Sequence, residues 1–80
     1  MIEKRNALRH RVFKGATLTY DGGDVACTVR NISTGGAGIE IHGSVFLPRS
    51  FKLSISVDKF ARECRTVWRS DNRIGLAFLH

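Results

Sequence analysis

This chain has little of what most small functional sites are built from. Its 80 residues include two cysteines and three histidines. Two cysteines do not make the disulfide framework of a small secreted domain, and a structural zinc site needs about four ligands. Cys27 and Cys64 both lie inside alternating apolar runs, where a free cysteine behaves as a small hydrophobe. His10, His42 and His80 have no nucleophile or metal partner at a recognisable spacing, so they read as surface residues and no enzyme is expected. No apolar run approaches the roughly 18 residues of a membrane span, and the start lacks the apolar centre of a signal peptide. A cytoplasmic protein without a membrane span is the expectation. Internal repeats, linkers and low-complexity segments are lacking too.

What the chain does have is positive charge. The formal net charge is +6 and the sequence pI about 10.2, which points to an anionic partner rather than to any fold. The charge is concentrated. Lys4, Arg5, Arg9, Arg11 and Lys14 stand against Glu3 in the first fourteen residues, a local balance of +4 out of the total +6. Residues 1–14 are read as a basic arm and 15–80 as the folded domain. At this size a single domain buries only about 60% of its unfolded surface, which leaves little room for a supported catalytic pocket.

The folded part reads as short strands. Thr17–Tyr20 alternates and is closed by Asp21-Gly22-Gly23-Asp24, a strong turn signal. Val25–Arg30 and Ile39–Ile41 follow, then a loop closing near Pro48-Arg49. Phe51–Val57 is the cleanest period-two pattern, with apolar residues on one side and polar residues on the other. Phe60–Arg69 and Ile74–Leu79 complete the series. Six strands at roughly ten-residue spacing, with no helix pattern, favour a small antiparallel barrel or sandwich. The cysteines, Trp68 and the phenylalanines are expected in the core, with a ligand-stacking role for Trp68 as the lesser alternative. Arg73 is expected in a turn remote from the segments discussed next.

Between the second and third strands lies Asn31-Ile32-Ser33-Thr34-Gly35-Gly36-Ala37-Gly38. On an extended backbone Asn31 and Ser33 leave the same face. The glycines permit bulged or left-handed backbone and let another molecule approach the main chain. Amide, hydroxyl and backbone N–H groups together suit an oxygen-rich or nucleotide ligand. The same residues also fit a bulged turn in which Asn and Ser bond their own backbone. Upstream, Arg5 and Arg9 are four residues apart and can converge on one anion, because guanidinium forks match phosphate oxygens bidentately. Arg11 and Lys14 add to the field.

Taken together, the R-x-x-x-R of Arg5 and Arg9 and the N-x-S-x-x-G of Asn31, Ser33 and Gly36 resemble the two hallmarks of the PilZ domain family. Thr66-Val67-Trp68 and Ile74–Phe78 look like that family's closing strands. The resemblance implies a six-stranded antiparallel β-barrel that binds cyclic di-GMP, a bacterial second messenger, and acts as its effector. It further implies that Arg5 and Arg9 hold the phosphates and guanine faces, that Asn31 and Ser33 hydrogen-bond guanine or phosphate, and that Gly36 keeps the strand surface open. Arg11 and Gly35 complete the expected ligand-binding set, with no metal and no further cofactor. A downstream protein partner is expected, with ligand acting as an order–disorder switch on residues 1–12. Because many members add a helix after the last strand, closure of the barrel end by a second copy is also considered. Two other classes remain beside this reading: a basic barrel binding nucleic acid, disfavoured by the scattered aromatics, and a ligand-free interaction module.

Overall fold

The computed structural model describes residues 10–43 and 45–79. Six antiparallel strands run through them: β1 (His10–Tyr20), β2 (Gly23–Ile32), β3 (Gly36–Glu40), β4 (Phe51–Ile55), β5 (Phe60–Ser70) and β6 (Arg73–Phe78). They close into a barrel in the order β1-β2-β3-β6-β5-β4. Closure leaves no free side to the sheet where every strand spans its full neighbour. The turn between β1 and β2 is made by Asp21 and Gly22, both at positive φ (50° and 76°), the backbone that a two-residue hairpin requires and that Asp-Gly supplies readily. A single 3-10 turn, Ser56–Asp58, joins β4 to β5.

The interior is filled by branched aliphatic side chains. Leu18, Val29, Ile39, Leu53, Ile55 and Ile74 are fully enclosed, and no polar or charged residue is buried among the described residues. Every strand thus contributes its inward alternate positions to one core. Cys27 and Cys64 belong to it as free thiols, and the Cys64 thiol approaches the Phe51 carbonyl at 3.6 Å. Burial pushes the Cys27 thiol up to about 11. Burial, with the neighbouring Glu63 carboxylate adding to it, pushes Cys64 up to about 12.

Four expectations are corrected by this architecture. The first strand begins at His10, not Thr17, so residues 10–14, assigned to the arm on charge, lie in β1. Its alternation is hidden in the sequence because a lysine, Lys14, holds a half-buried position while the apolar Phe13 beside it is exposed. The period-two run of Phe51–Val57 ends at Ile55, and Val57 is exposed in the 3-10 turn. Phe13 and Phe46 are exposed rather than core residues, whereas Phe51 and Phe78 are buried. Trp68 is 48% exposed. Its side is set by a bulge: Thr66 pairs with Leu76 and Trp68 with Gly75, which leaves Val67 as an extra residue. Counting by twos from the buried Cys64 places Trp68 inside; the extra residue turns it outward.

The two thiols make folding sensitive to alkali. A buried thiol with a raised pKa keeps its proton after the unfolded chain has released its own. Stability is therefore whole below the ordinary value of 9.0 and falls as pH rises toward 11 and 12. The slope reaches at most about 1.4 kcal/mol per pH unit for each thiol. Urea denaturation in reductant at about pH 8 and about pH 10 should show this loss, and a Cys27→Ala/Cys64→Ala double variant should lose less across the same interval. An identical fall in both proteins would assign the alkaline sensitivity to other groups.

Candidate functional site

Two bulges meet at one corner of the barrel. In the β1–β2 ladder Val12 and Phe13 oppose the single residue Arg30; in the β2–β3 ladder Arg30 is itself the extra residue between Val29 and Asn31. Bulges bend the strand and re-aim its side chains. Here Arg30 and Phe13 are brought together on the outside, with the guanidinium carbon 5.4 Å from the ring centroid, within cation–π range. Arg30 Nη1 donates to Glu40 Oε1 at 2.6 Å, and Arg73 Nε stands 3.7 Å from the same oxygen. Glu40 and Arg73 are direct partners across β3 and β6, so one carboxylate positions two guanidiniums. All three side chains are partly exposed, and such pairs contribute little to stability; their effect is orientation. Arg11 lies opposite Asn31 on β1 and β2. The result is an open depression of about 530 Å³ lined by Arg11, Val12, Phe13, Arg30, Asn31 and Arg73.

A row of small residues leads away from this depression along the outer face. Asn31 pairs with Gly38, Gly38 with Gly75, and Gly75 with Trp68. Gly38 lies between the core residues Ala37 and Ile39, and Gly75 between Ile74 and Leu76, so both glycines face outward. A Cβ on Gly38 would stand 2.7 Å from the Asn31 amide nitrogen, and one on Gly75 would overlap the Trp68 indole. Asn31 and Trp68 therefore lie across the two glycines from opposite ends. The face carries an amide and three guanidiniums at one end and a half-exposed indole at the other.

The next turn has a different character. Ser33 N–H donates to the Gly36 carbonyl at 2.8 Å, the Gly35 N–H donates to Ser33 Oγ at 3.3 Å, and Ser33 Oγ is 3.4 Å from the Gly36 carbonyl. The Phe78 N–H donates to the Gly35 carbonyl at 2.9 Å. Ser33, Gly35 and Gly36 thus shape and anchor the turn and do not line the depression. A Cβ on Gly36 would run into the Leu76 carbonyl, so the room above Gly36 is taken by β6. None of these glycines has positive φ.

Of the residues expected to bind ligand, the structure brings Arg11 and Asn31 together and sets Ser33, Gly35 and Gly36 beside them in the turn. Arg5 and Arg9 lie outside the described residues. Arg73, expected in a remote turn, lies at the site because β6 pairs with β3. Among the described residues no cluster of three His, Cys, Asp or Glu side chains is placed to hold a metal ion, and no helix is long and apolar enough to cross a membrane.

The family model of the PilZ domain matches residues 3–80. The chain belongs to the PilZ domain family. No curated protein matches it. Among solved structures it is similar to the crystal structure of an uncharacterized Legionella protein, at 20% identity and a TM-score of 0.63, over 91% of this chain and 77% of that one. That likeness concerns the fold.

Within the PilZ frame, the sequence reading passed over Phe13, Arg30 and Arg73 and set Trp68 in the core ahead of a stacking role. Arg30 directly precedes Asn31, and its adjacency was the available signal. Arg73 and Trp68 carry none in the linear chain, because their place depends on strand order and on the bulge at Val67.

The fit of indole to glycine is testable by itself. Gly75→Ala should destabilise the barrel by about 1–3 kcal/mol, the usual range for overpacking, and Gly75→Ala combined with Trp68→Ala should recover part of the loss, because the clash needs both side chains. Urea denaturation of the two single variants and the double variant measures the coupling. Strict additivity would show that the two side chains do not meet.

Proposed function

We propose that this PilZ protein is a cytoplasmic receptor for cyclic di-GMP, and that the ligand seats on the outer face of β1, β2, β3 and β6. The observation that carries the reading is the convergence of Arg11, Arg30, Arg73 and Asn31 in one depression beside Phe13, in a chain of this family. The ligand offers two phosphodiester anions and two large π faces. Guanidinium suits both, as a bidentate phosphate donor and as a flat cation stacking on a base. The Asn31 amide supplies donor and acceptor to a guanine edge. Trp68, half exposed at the far end of the glycine row, supplies an aromatic face of the kind on which bases stack. Arg5 and Arg9 add the remaining cations from the arm.

The effector step follows from the same chemistry. A ligand that touches both the arm and the barrel joins them, and the composite surface so formed is what a downstream protein reads. Ordering residues costs about 1–2 kcal/mol each, so only a ligand bridging both parts offsets it. The protein acts by binding and not by catalysis.

Calorimetric titration should give binding of cyclic di-GMP at tens of micromolar or tighter, about −6 kcal/mol or better, with GMP and GTP clearly weaker. Arg11→Ala and Arg73→Ala should each weaken it about tenfold to a hundredfold, the loss of one charge-assisted bond. Ser33→Ala should cost less, since its hydroxyl is engaged in the turn. No heat with cyclic di-GMP, or equal affinity for GTP, would sink the proposal. In limited trypsin digestion, cleavage after Arg5 and Arg9 should slow on adding ligand, while cleavage after Lys59, exposed in the β4–β5 turn, should not. Unchanged arm cleavage would refute the bridging step alone.

A further inference from the structure

The strands of the barrel differ in length, and the β4–β5 seam shows what this leaves open. β5 has 11 residues and β4 only 5, and their ladder ends at the pair Phe51 and Cys64. From Arg65 onward, the edge of β5 that faced β4 has no strand beside it among the described residues. The segment before β4 runs there instead. It is held by the Tyr20 hydroxyl donating to the Phe46 carbonyl at 3.1 Å and by Arg69 Nη1 donating to the Val45 carbonyl at 2.6 Å. Val45 and Leu47 pack against the core. Among the described residues, no backbone hydrogen bond crosses from this segment to Arg65–Ser70.

Between segment and strand lies a groove of about 500 Å³. Phe46, Leu47, Pro48 and Arg49 form one wall, and Arg65, Thr66 and Arg69 the other. Phe46 is 88% exposed, a large ring held in water by the tethering of its own carbonyl. Among the described residues, no carboxylate forms an ion pair with Arg49, Arg65 or Arg69. Among the described residues, an unpaired backbone edge, three cations without a carboxylate partner and an exposed ring therefore share one groove. It has no lining residue in common with the depression at Arg11 and Asn31.

We propose that this groove docks an extended acidic segment of a partner protein, which adds as a strand to the free edge of β5 at Arg65–Ser70. Strand addition takes its affinity from main-chain hydrogen bonds and its specificity from alternate side chains. An unpaired edge provides the first. For the second, the extra residue at Val67 sets Arg65, the partner of Ala77, and Arg69, the partner of Ile74, on opposite faces of β5, with Arg49 across the groove. Carboxylates of an incoming segment meet these cations, and an apolar neighbour meets Phe46. Oligonucleotide binding would call for successive stacking rings, and the groove offers one.

The test uses the full chain without nucleotide, so its outcome is independent of whether cyclic di-GMP binds. The probe is a fluorescein-labelled octapeptide of alternating glutamate and valine. Its controls are the lysine–valine peptide and a glutamate peptide with proline at every second position, which lacks the N–H groups that a strand needs. Fluorescence anisotropy should show saturable binding of the glutamate–valine peptide only. Backbone amide chemical shifts should move at residues 46, 47, 49 and 65–70. Arg65→Ala and Arg49→Ala should each weaken binding at least fivefold; neither residue tethers the loop, so a folding defect does not confuse the result. No binding of the glutamate–valine peptide, equal binding of either control, or shifts confined to Arg11, Arg30 and Asn31 would each overturn the proposal.

Discussion

At Gly36 the backbones of β3 and β6 come so near that the Leu76 carbonyl occupies the place a Cβ would take. Six short strands enclose a core of branched aliphatic side chains, and such a core leaves little slack: interiors are packed as tightly as organic crystals. A side chain at Gly36 would hold β6 away and open the seam through which Ile39 faces Ile74 and Ala37 faces Leu76. The same seam decides what lies outside. With β3 and β6 close together, Gly38 and Gly75 form a floor low enough for the Asn31 amide and the Trp68 indole to lie over it. Structural tightness and the accessible outer face have one cause.

The cations of this face are arranged by a carboxylate that is not among its lining residues. Glu40 holds Arg30 and draws Arg73 toward it, so both guanidiniums are oriented before any anion arrives. Preorganisation of this kind lowers the ordering cost of binding. It leaves Arg11 as the member of the cluster with no such counter-charge among the described residues. Net positive charge at the site is reduced by Glu40, but its geometry is gained.

Much of this was legible in the linear chain. The strands followed from period-two alternation and from turn residues such as Asp21-Gly22, because those signals are local. Asn31 was legible because it belongs to a motif, and Arg11 because it lies in the basic run beside one. What was not legible is whatever depends on pairing. Arg73 reaches the site because β6 lies next to β3, a fact of strand order. Phe13 and Arg30 face each other because two ladders slip by one residue at the same corner. Ser33 was open to two readings, and its three short-range bonds place it in the turn. Its composition could not separate a residue that offers hydrogen bonds outward from one that spends them on its own backbone.

The extra residue at Val67 has a consequence for how this barrel tolerates change over generations. Side-chain direction on a strand is a matter of parity. Val67 itself is exposed, so its identity is under little packing constraint, yet its presence decides that Trp68 lies outside over Gly75. Codon substitutions at this position are therefore cheap, whereas losing or gaining one codon between Thr66 and Trp68 would reverse the facing of every residue up to the β5–β6 turn. In this part of the chain, selection acts on length more than on letters.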